Sequence, residues 1–232
     1  MYFSLITPCA GQERAAAHEW MQGAYGEHQW LWRFFPATKG SPRDFLFRRS
    51  DLGDMPRFYV LSKRAPERAG PAWNVQSREY APRLKKGDQL QFELRANPVV
   101  TVARDGKSKR HDVVMQEKKR LLQARGLARW DEWQDEDRPE MYEIVHETCG
   151  KWLGERGRRL GFEADQKSLS IEAYQQHRGK KEALRFSTVD FSGTLTVVAP
   201  DTFASALFDG IGHAKAFGCG LLLVRRADGV PG

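Results

Sequence analysis

The sequence is poor in cysteine, has no long apolar run and carries no metal-binding spacing. Its three cysteines, Cys9, Cys149 and Cys219, are odd in number and far apart. That argues against a disulfide framework and fits a reducing, cytoplasmic setting. No apolar run approaches ~18 residues, so no segment reads as membrane-spanning. "MYFSLITPCAG" has no basic region ahead of its apolar residues, which makes it a first strand and not a signal peptide. CxxC pairs are absent. "HEWMQ" at His18 and "HETCG" at His146 begin like the zinc motif HExxH, but neither supplies the second histidine. Neither a structural zinc nor a two-metal carboxylate nuclease is expected, and no cofactor.

What the chain does have is apolar bulk and positive charge. Hydrophobic residues make up 41% of its 232 positions, with seven Trp and thirteen Phe, enough for a core. Lys plus Arg is 37 against 30 for Asp plus Glu, a net charge of +7. This moderate surplus favours an anionic partner, nucleic acid before membrane.

Along the chain, "YFSLITP" reads as a strand and "GQERAAAHEWMQGAYG" as a helix loosened by Gly23 and Gly26. "RDFLFRRS" and "RFYVLSKR" are two short strands, and "SKRAPERAGPAW" is a loop. "QLQFELRANPVVTV" is strand-like on both sides of an extended "NP" kink. "ARDGKSKRHD" reads as a basic turn. "VVMQEKKRLLQARG" and "PEMYEIVHETCGKWLGERGRRLG" follow as helices, the first stopped by Gly126, the second opened by Pro139. Two β-prone runs flank "QQHRGKKE", a hairpin with a basic tip. "APDTFASALFDG" is a short helix capped by Asp201, and "LLLVRR" a last buried strand. The pattern predicts an α+β protein of two tandem ferredoxin-like domains with a C-terminal glycine-rich loop. The expected division is 1–86 and 87–232.

That loop, "GIGHAKAFGCGLLLVRR", holds Gly210, Gly212, Gly218 and Gly220 with His213 and Lys215. It lies after a helix and before a strand, the reverse of a dinucleotide fingerprint. No Walker pattern exists either. Bare backbone can approach an anion or adopt positive φ. Spacing alone leaves phosphate contact and a plain connector with a C-cap both open.

The stretch resembles the glycine-rich loop of the repeat-associated RNA-processing proteins of CRISPR systems, and most of all the CasE type. "MYFSLI" and "RDFLFRR" are similar to that family's first two strands. "FELRANPVVT" matches its "RANP" segment. "GEHQWLWRFFP" resembles the segment carrying its active-site histidine, with Tyr25 three residues before His28. These matches run in family order across nearly the whole chain. The resemblance implies a metal-independent endoribonuclease of the type I-E Cascade complex. Such a protein binds a CRISPR repeat hairpin, cuts at the 3′ base of the stem, and leaves a 2′,3′-cyclic phosphate and a 5′-hydroxyl. It then holds the product crRNA beside the other Cascade subunits.

The residue types suit that chemistry. RNA supplies its own 2′-hydroxyl nucleophile, so the protein must move protons and steady phosphate charge. Histidine suits proton transfer because its pKa lies near ~6.5. The resemblance makes His28 and Tyr25 the catalytic candidates. Tyr25 and His28 share a face if the helix continues, and a loop presentation is equally open. Lys39, Arg43, Arg48 and Arg49 follow as candidate RNA contacts. "KSKRH" and "RGRR", with Arg156, Arg158 and Arg159, form further clusters, each readable as RNA contact or solvated face. His111 and His177 carry the same two readings. In the family a basic hairpin at about residues 172–189 reaches the stem's major groove, a role carried to Arg178, Lys180 and Lys181 as a group. Gly210, Gly212, His213 and Lys215 complete the expected RNA-binding set. The rivals are a non-catalytic RNA-binding subunit of a CRISPR complex, a general single-strand binder and, more remotely, a small-molecule enzyme.

Overall fold

A computed structural model describes residues 1–20, 23–38, 40–53, 55–104, 106–178 and 185–227, with backbone alone at 23–25, 104 and 107. The chain divides into two units. One comprises Met1–Leu84 with Ala204–Leu223, the other Lys85–Phe203 with Val224–Gly232. This differs from a single division at 86/87. The glycine-rich loop groups with the N-terminal residues, because its apolar neighbours lie there.

The first unit contains β1 (Tyr2–Pro8), α1 (Glu13–Trp20), α2 (Gly23–Leu31), β2 (Phe45–Leu52), β3 (Met55–Ser62) and β4 (Trp73–Glu79). The strands form an antiparallel sheet in the order β2-β3-β1-β4. Alternation along β2 and β3 gives the sheet two apolar faces. Phe45, Phe47, Phe58 and Val60 point to one core, where Ala16, Trp30, Leu31, Phe34 and Trp73 pack. Leu46 and Leu61 point to the other, where Leu221 joins them with Phe208 and Leu223 at the margin. Each buried aromatic side chain contributes roughly 1.5–3 kcal/mol by removal from water.

One local expectation needs correction. "WNVQSRE" is a strand, not anticipated because its last four residues are exposed and polar. It pairs with β1 through backbone alone from Tyr2↔Glu79 to Pro8↔Trp73. Gly23 and Gly26 lie within α2, which runs to Leu31, so of the two presentations left open for residues 25–28 the helical one is found.

The second unit contains β5 (Gln89–Ala96), β6 (Val99–Arg104), β7 (Lys107–Asp112), α3 (Val113–Ala124), α4 (Met141–Leu160), β8 (Phe162–Ala164), β9 (Ser170–Arg178) and β10 (Arg185–Val197). α5 (Pro200–Asp209) and β11 (Leu222–Arg226) follow. The main sheet runs β11-β5-β10-β8, with β9 also paired to β10. With β8 and β9 taken as one interrupted strand, this repeats the order of the first sheet. Both units are ferredoxin-like α+β folds. Two sequence readings shift here as well. The segment expected as a basic turn is the separate ribbon β6–β7. Its many polar residues conceal the strand signal. Asp201 sits inside the first turn of α5 and is not its cap, so it meets the helix N-terminus by charge.

α4 shows why the apolar spacing was readable. Ile144, Val145, Cys149, Trp152 and Leu153 are buried along one stripe. Glu140 caps it in a reciprocal box with Glu143, and Gly161 ends it at φ 81°. All three cysteines are free thiols. No helix among the described residues is long and apolar enough to cross a membrane.

Candidate active site

His28 lies near the end of α2, half-buried between Trp32 and Phe45. Its ring centroid is 6.2 Å from that of Trp32 and 6.0 Å from that of Phe45. The Trp32 indole N–H donates to His28 Nε2 at 3.3 Å. An accepting Nε2 is unprotonated, so the neutral ring carries its proton on Nδ1. Among the described residues Nδ1 is buried without a hydrogen-bond partner. Burial lowers the His28 pKa, and the positive charge of Arg43 lowers it further. The neutral ring is therefore favoured, with its one lone pair, on Nε2, engaged by the Trp32 N–H.

Arg43 is itself half-buried on the approach to β2, and burial lowers its pKa. Its Nη1 has no hydrogen-bond partner among the described residues. The same guanidinium acts on Lys215. Burial lowers the Lys215 pKa first, Asp209 opposes this, and Arg43 adds to it. Lys215 Nζ donates to the Asp209 carbonyl at 2.6 Å, across the neck of the glycine-rich loop. One histidine and two cations are thus gathered from α2, the β2 approach and the C-terminal loop. Such a group stabilises an anion placed among them and offers a neutral imidazole for proton transfer.

The loop's packing explains its glycines. Ile211 N–H donates to the Gly220 carbonyl at 2.8 Å, closing the neck. Gly210 has φ +75° and Gly220 φ +90°. A Cβ on Gly210 would lie 2.7 Å from Leu46 Cδ1, and one on Gly220 2.9 Å from the Ile211 carbonyl oxygen. Gly218 faces the Phe47 ring. The loop therefore touches side chains from both faces of β2, the edge strand of the first sheet. Gly212 also takes a positive φ, and His213 is half-buried beside it.

The remaining expected residues divide. Arg48 is 8% exposed, so β2 turns it into the protein and it is no surface contact. Arg49 is taken up by Asp51 at 2.7 Å and Glu27 at 2.9 Å, and lies over Trp20 at 4.0 Å. Burial works against its charge, but those hydrogen bonds outweigh it and raise its pKa. Arg158 and Arg159 are exposed in the last turn of α4, where they complement the helix dipole. Arg178 is exposed at the end of β9. Tyr25 belongs to α2, but its side chain lies outside the described residues, as do Lys39, Lys180 and Lys181 entirely. Among the described residues no three His, Cys, Asp or Glu cluster as metal ligands.

Sequence reasoning missed Trp32 and Phe45, the walls around His28. The i,i+4 spacing of His28 and Trp32 was a usable signal. It also missed what "RANP" does. Asn97 is 5% exposed, and its Nδ2 donates to the Ser187 carbonyl at 2.7 Å. The Ser187 hydroxyl donates to Asp112, whose carboxylate also accepts from Tyr174 and from the Met115 N–H.

The sequence matches the model of the CRISPR associated protein family over residues 1–226. It is 31% identical over 202 residues to the CRISPR-associated endoribonuclease Cse3 of Thermus thermophilus, covering 86% of this chain and 81% of that one. It is 29% identical over 210 residues to the Cascade subunit CasE of Escherichia coli K12, covering 89% and 94%. The fold is similar to that of Cse3 bound to a 19 nt RNA, with a TM-score of 0.66 at 23% identity over 97% of this chain and 98% of that one. It is also similar to Cas6e from E. coli K-12, with a TM-score of 0.62 at 23% identity over 98% and 100%. The family match over nearly the whole chain and the 31% identical relative settle the assignment: the chain belongs to the CRISPR-associated protein family.

Proposed function

We propose that this protein is the endoribonuclease that processes CRISPR precursor RNA and stays on its product within a cytoplasmic Cascade complex. The observation that carries this is His28 at the end of α2, its Nε2 held by the Trp32 N–H at 3.3 Å and its ring beside the positive charge of Arg43. The relatives bear the same assignment, one named an endoribonuclease and the other a Cascade subunit.

In this reading the repeat hairpin places its scissile phosphate beside Arg43 and Lys215. The 2′-hydroxyl of the upstream nucleotide attacks that phosphate. The P–O5′ bond breaks, leaving a 2′,3′-cyclic phosphate and a 5′-hydroxyl. Neutral His28 moves the proton, with Tyr25 assisting, and displaces the Trp32 N–H from Nε2 to do so. Arg43 and Lys215 hold the charge that builds on the non-bridging oxygens. The cations do the work a metal would do, so the reaction runs in EDTA. Arg178, Lys180 and Lys181 hold the stem, whose narrow groove opens near its ends.

The test compares wild type and His28→Ala on the repeat RNA in EDTA, with binding measured on both. Wild type should cut once, and the variant should bind equally while cutting at least ~100-fold more slowly. Equal cutting by both would move the catalysis elsewhere. Binding without cutting by either would make the protein a non-catalytic RNA-binding subunit. A 2′-deoxy nucleotide upstream of the cut should abolish cleavage and spare binding.

A further inference from the structure

We infer that the two-stranded ribbon β6–β7 is a second RNA-binding arm, gripping the sugar–phosphate backbone through the face that carries Lys109 and His111. This rests on the reading of the protein as an RNA-binding nuclease, but on residues separate from its active site.

The ribbon stands apart from the main sheets as a two-stranded sheet of its own. Its register pairs Val100 with His111 and Val102 with Lys109, and Thr101 with Arg110. Opposed residues share a face and neighbours along a strand do not. Lys109 and His111 therefore lie with Val100 and Val102 on one face, and Arg110 lies on the other. Val100 and Val102 are 36% and 37% exposed, so this face meets solvent. Lys109, Arg110 and His111 are all exposed.

Charge sets the occupant. Many of the protein's other arginines are engaged, Arg49 by Asp51, Arg95 by Asp190 and Arg120 by Glu117. Among the described residues of the ribbon the one carboxylate is Asp112, and three donors already occupy it. The face is left basic and aliphatic, with Lys109 and His111 about 7 Å apart along the strand. That suits the negative backbone of a nucleic acid and offers no pattern to read bases.

The root of the ribbon gives it direction. Asp112 ends β7, caps α3 and accepts from Tyr174 on β9 and Ser187 on β10. The ribbon and the β9–β10 hairpin thus spring from one hydrogen-bonded clamp. An RNA held near Arg178 lies within reach of both arms.

The probe is the repeat hairpin RNA with a 2′-deoxy nucleotide at the cut, so affinity is read without cleavage. Lys109→Ala/His111→Ala should bind about tenfold more weakly. The slope of log affinity against log salt should fall by about 1. Arg110→Ala, on the opposite face, should change the affinity less than twofold. Thermal unfolding of both variants checks that the fold is intact. An unchanged affinity and salt slope in the double variant would sink the inference. So would an equal loss in Arg110→Ala, since net charge and not a face would then be responsible. Cleavage of the all-ribose RNA by wild type is scored separately, so the ribbon can fail while the nuclease reading stands. A wild type that binds no RNA overturns both.

Discussion

At the scale of single residues, the site turns on how neutral His28 is kept. Burial and Arg43 both disfavour its imidazolium. Arg43→Gln removes the repulsion and should move the His28 pKa upward, read by NMR titration of the ring protons. The acid limb of the cleavage rate should follow it to higher pH. The same shift has a stability consequence with a definite sign. The unfolded histidine takes a proton near ~6.5, while the folded one resists until a lower pH. Stability should therefore fall as pH drops from about 6.5 toward the folded pKa, and level off below it. His177 adds to this slope, since burial and then Arg95 lower its pKa as well. Denaturant midpoints between pH 7.5 and about 5 would show it.

At the scale of elements, two small motifs set the geometry. The glycine-rich loop is held at its neck, where Gly220 combines φ +90° with a backbone oxygen 2.9 Å from any added Cβ. Gly220→Ala should cost about 1–3 kcal/mol in urea unfolding, because neither the dihedral nor the carbonyl yields easily. In the second unit β9 carries two residues, Ala173 and Tyr174, opposite Val189 alone. Ala173 takes φ 53° to allow it. This bulge turns the Tyr174 hydroxyl onto Asp112, and burial raises the tyrosine pKa so that the donor stays protonated. Asp112→Ala strands the Ser187 and Tyr174 hydroxyls and uncaps α3. It should destabilise the protein by about 2–4 kcal/mol, whereas Tyr174→Phe should cost about 1 kcal/mol. Calorimetry on the two variants separates these values.

At the scale of the whole molecule, the chain does not fold in sequence order. Residues 1–84 build four strands and two helices, yet one face of their sheet is completed by Phe208, Leu221 and Leu223. A fragment ending at Leu84 exposes Leu46 and Leu61 on that face. It should be aggregated or unfolded by circular dichroism and sedimentation, and adding residues 204–223 on a linker should restore a cooperative transition. A folded, monomeric fragment would overturn this account of the first unit.

The sequence by itself determined what depends on local pattern. Short apolar, β-prone runs marked β2 and β3, the 3.6-residue stripe marked α4, and the glycines marked a loop of unusual backbone. The order of those motifs pointed to the family, and "EHQW" pointed to His28. Strands whose faces are polar, β4 and β7, were hidden, because they pair by backbone groups that any residue supplies. Only the tertiary structure decided which cations lie beside His28. Arg43, Arg48 and Arg49 lie within seven positions and look alike in sequence. Folding buries Arg48, pairs Arg49 with acids, and leaves Arg43 beside His28 and Lys215. The reason is physical: charge is a property of a residue, but its usefulness depends on what the fold places around it, across a separation of more than 170 residues in the case of Lys215.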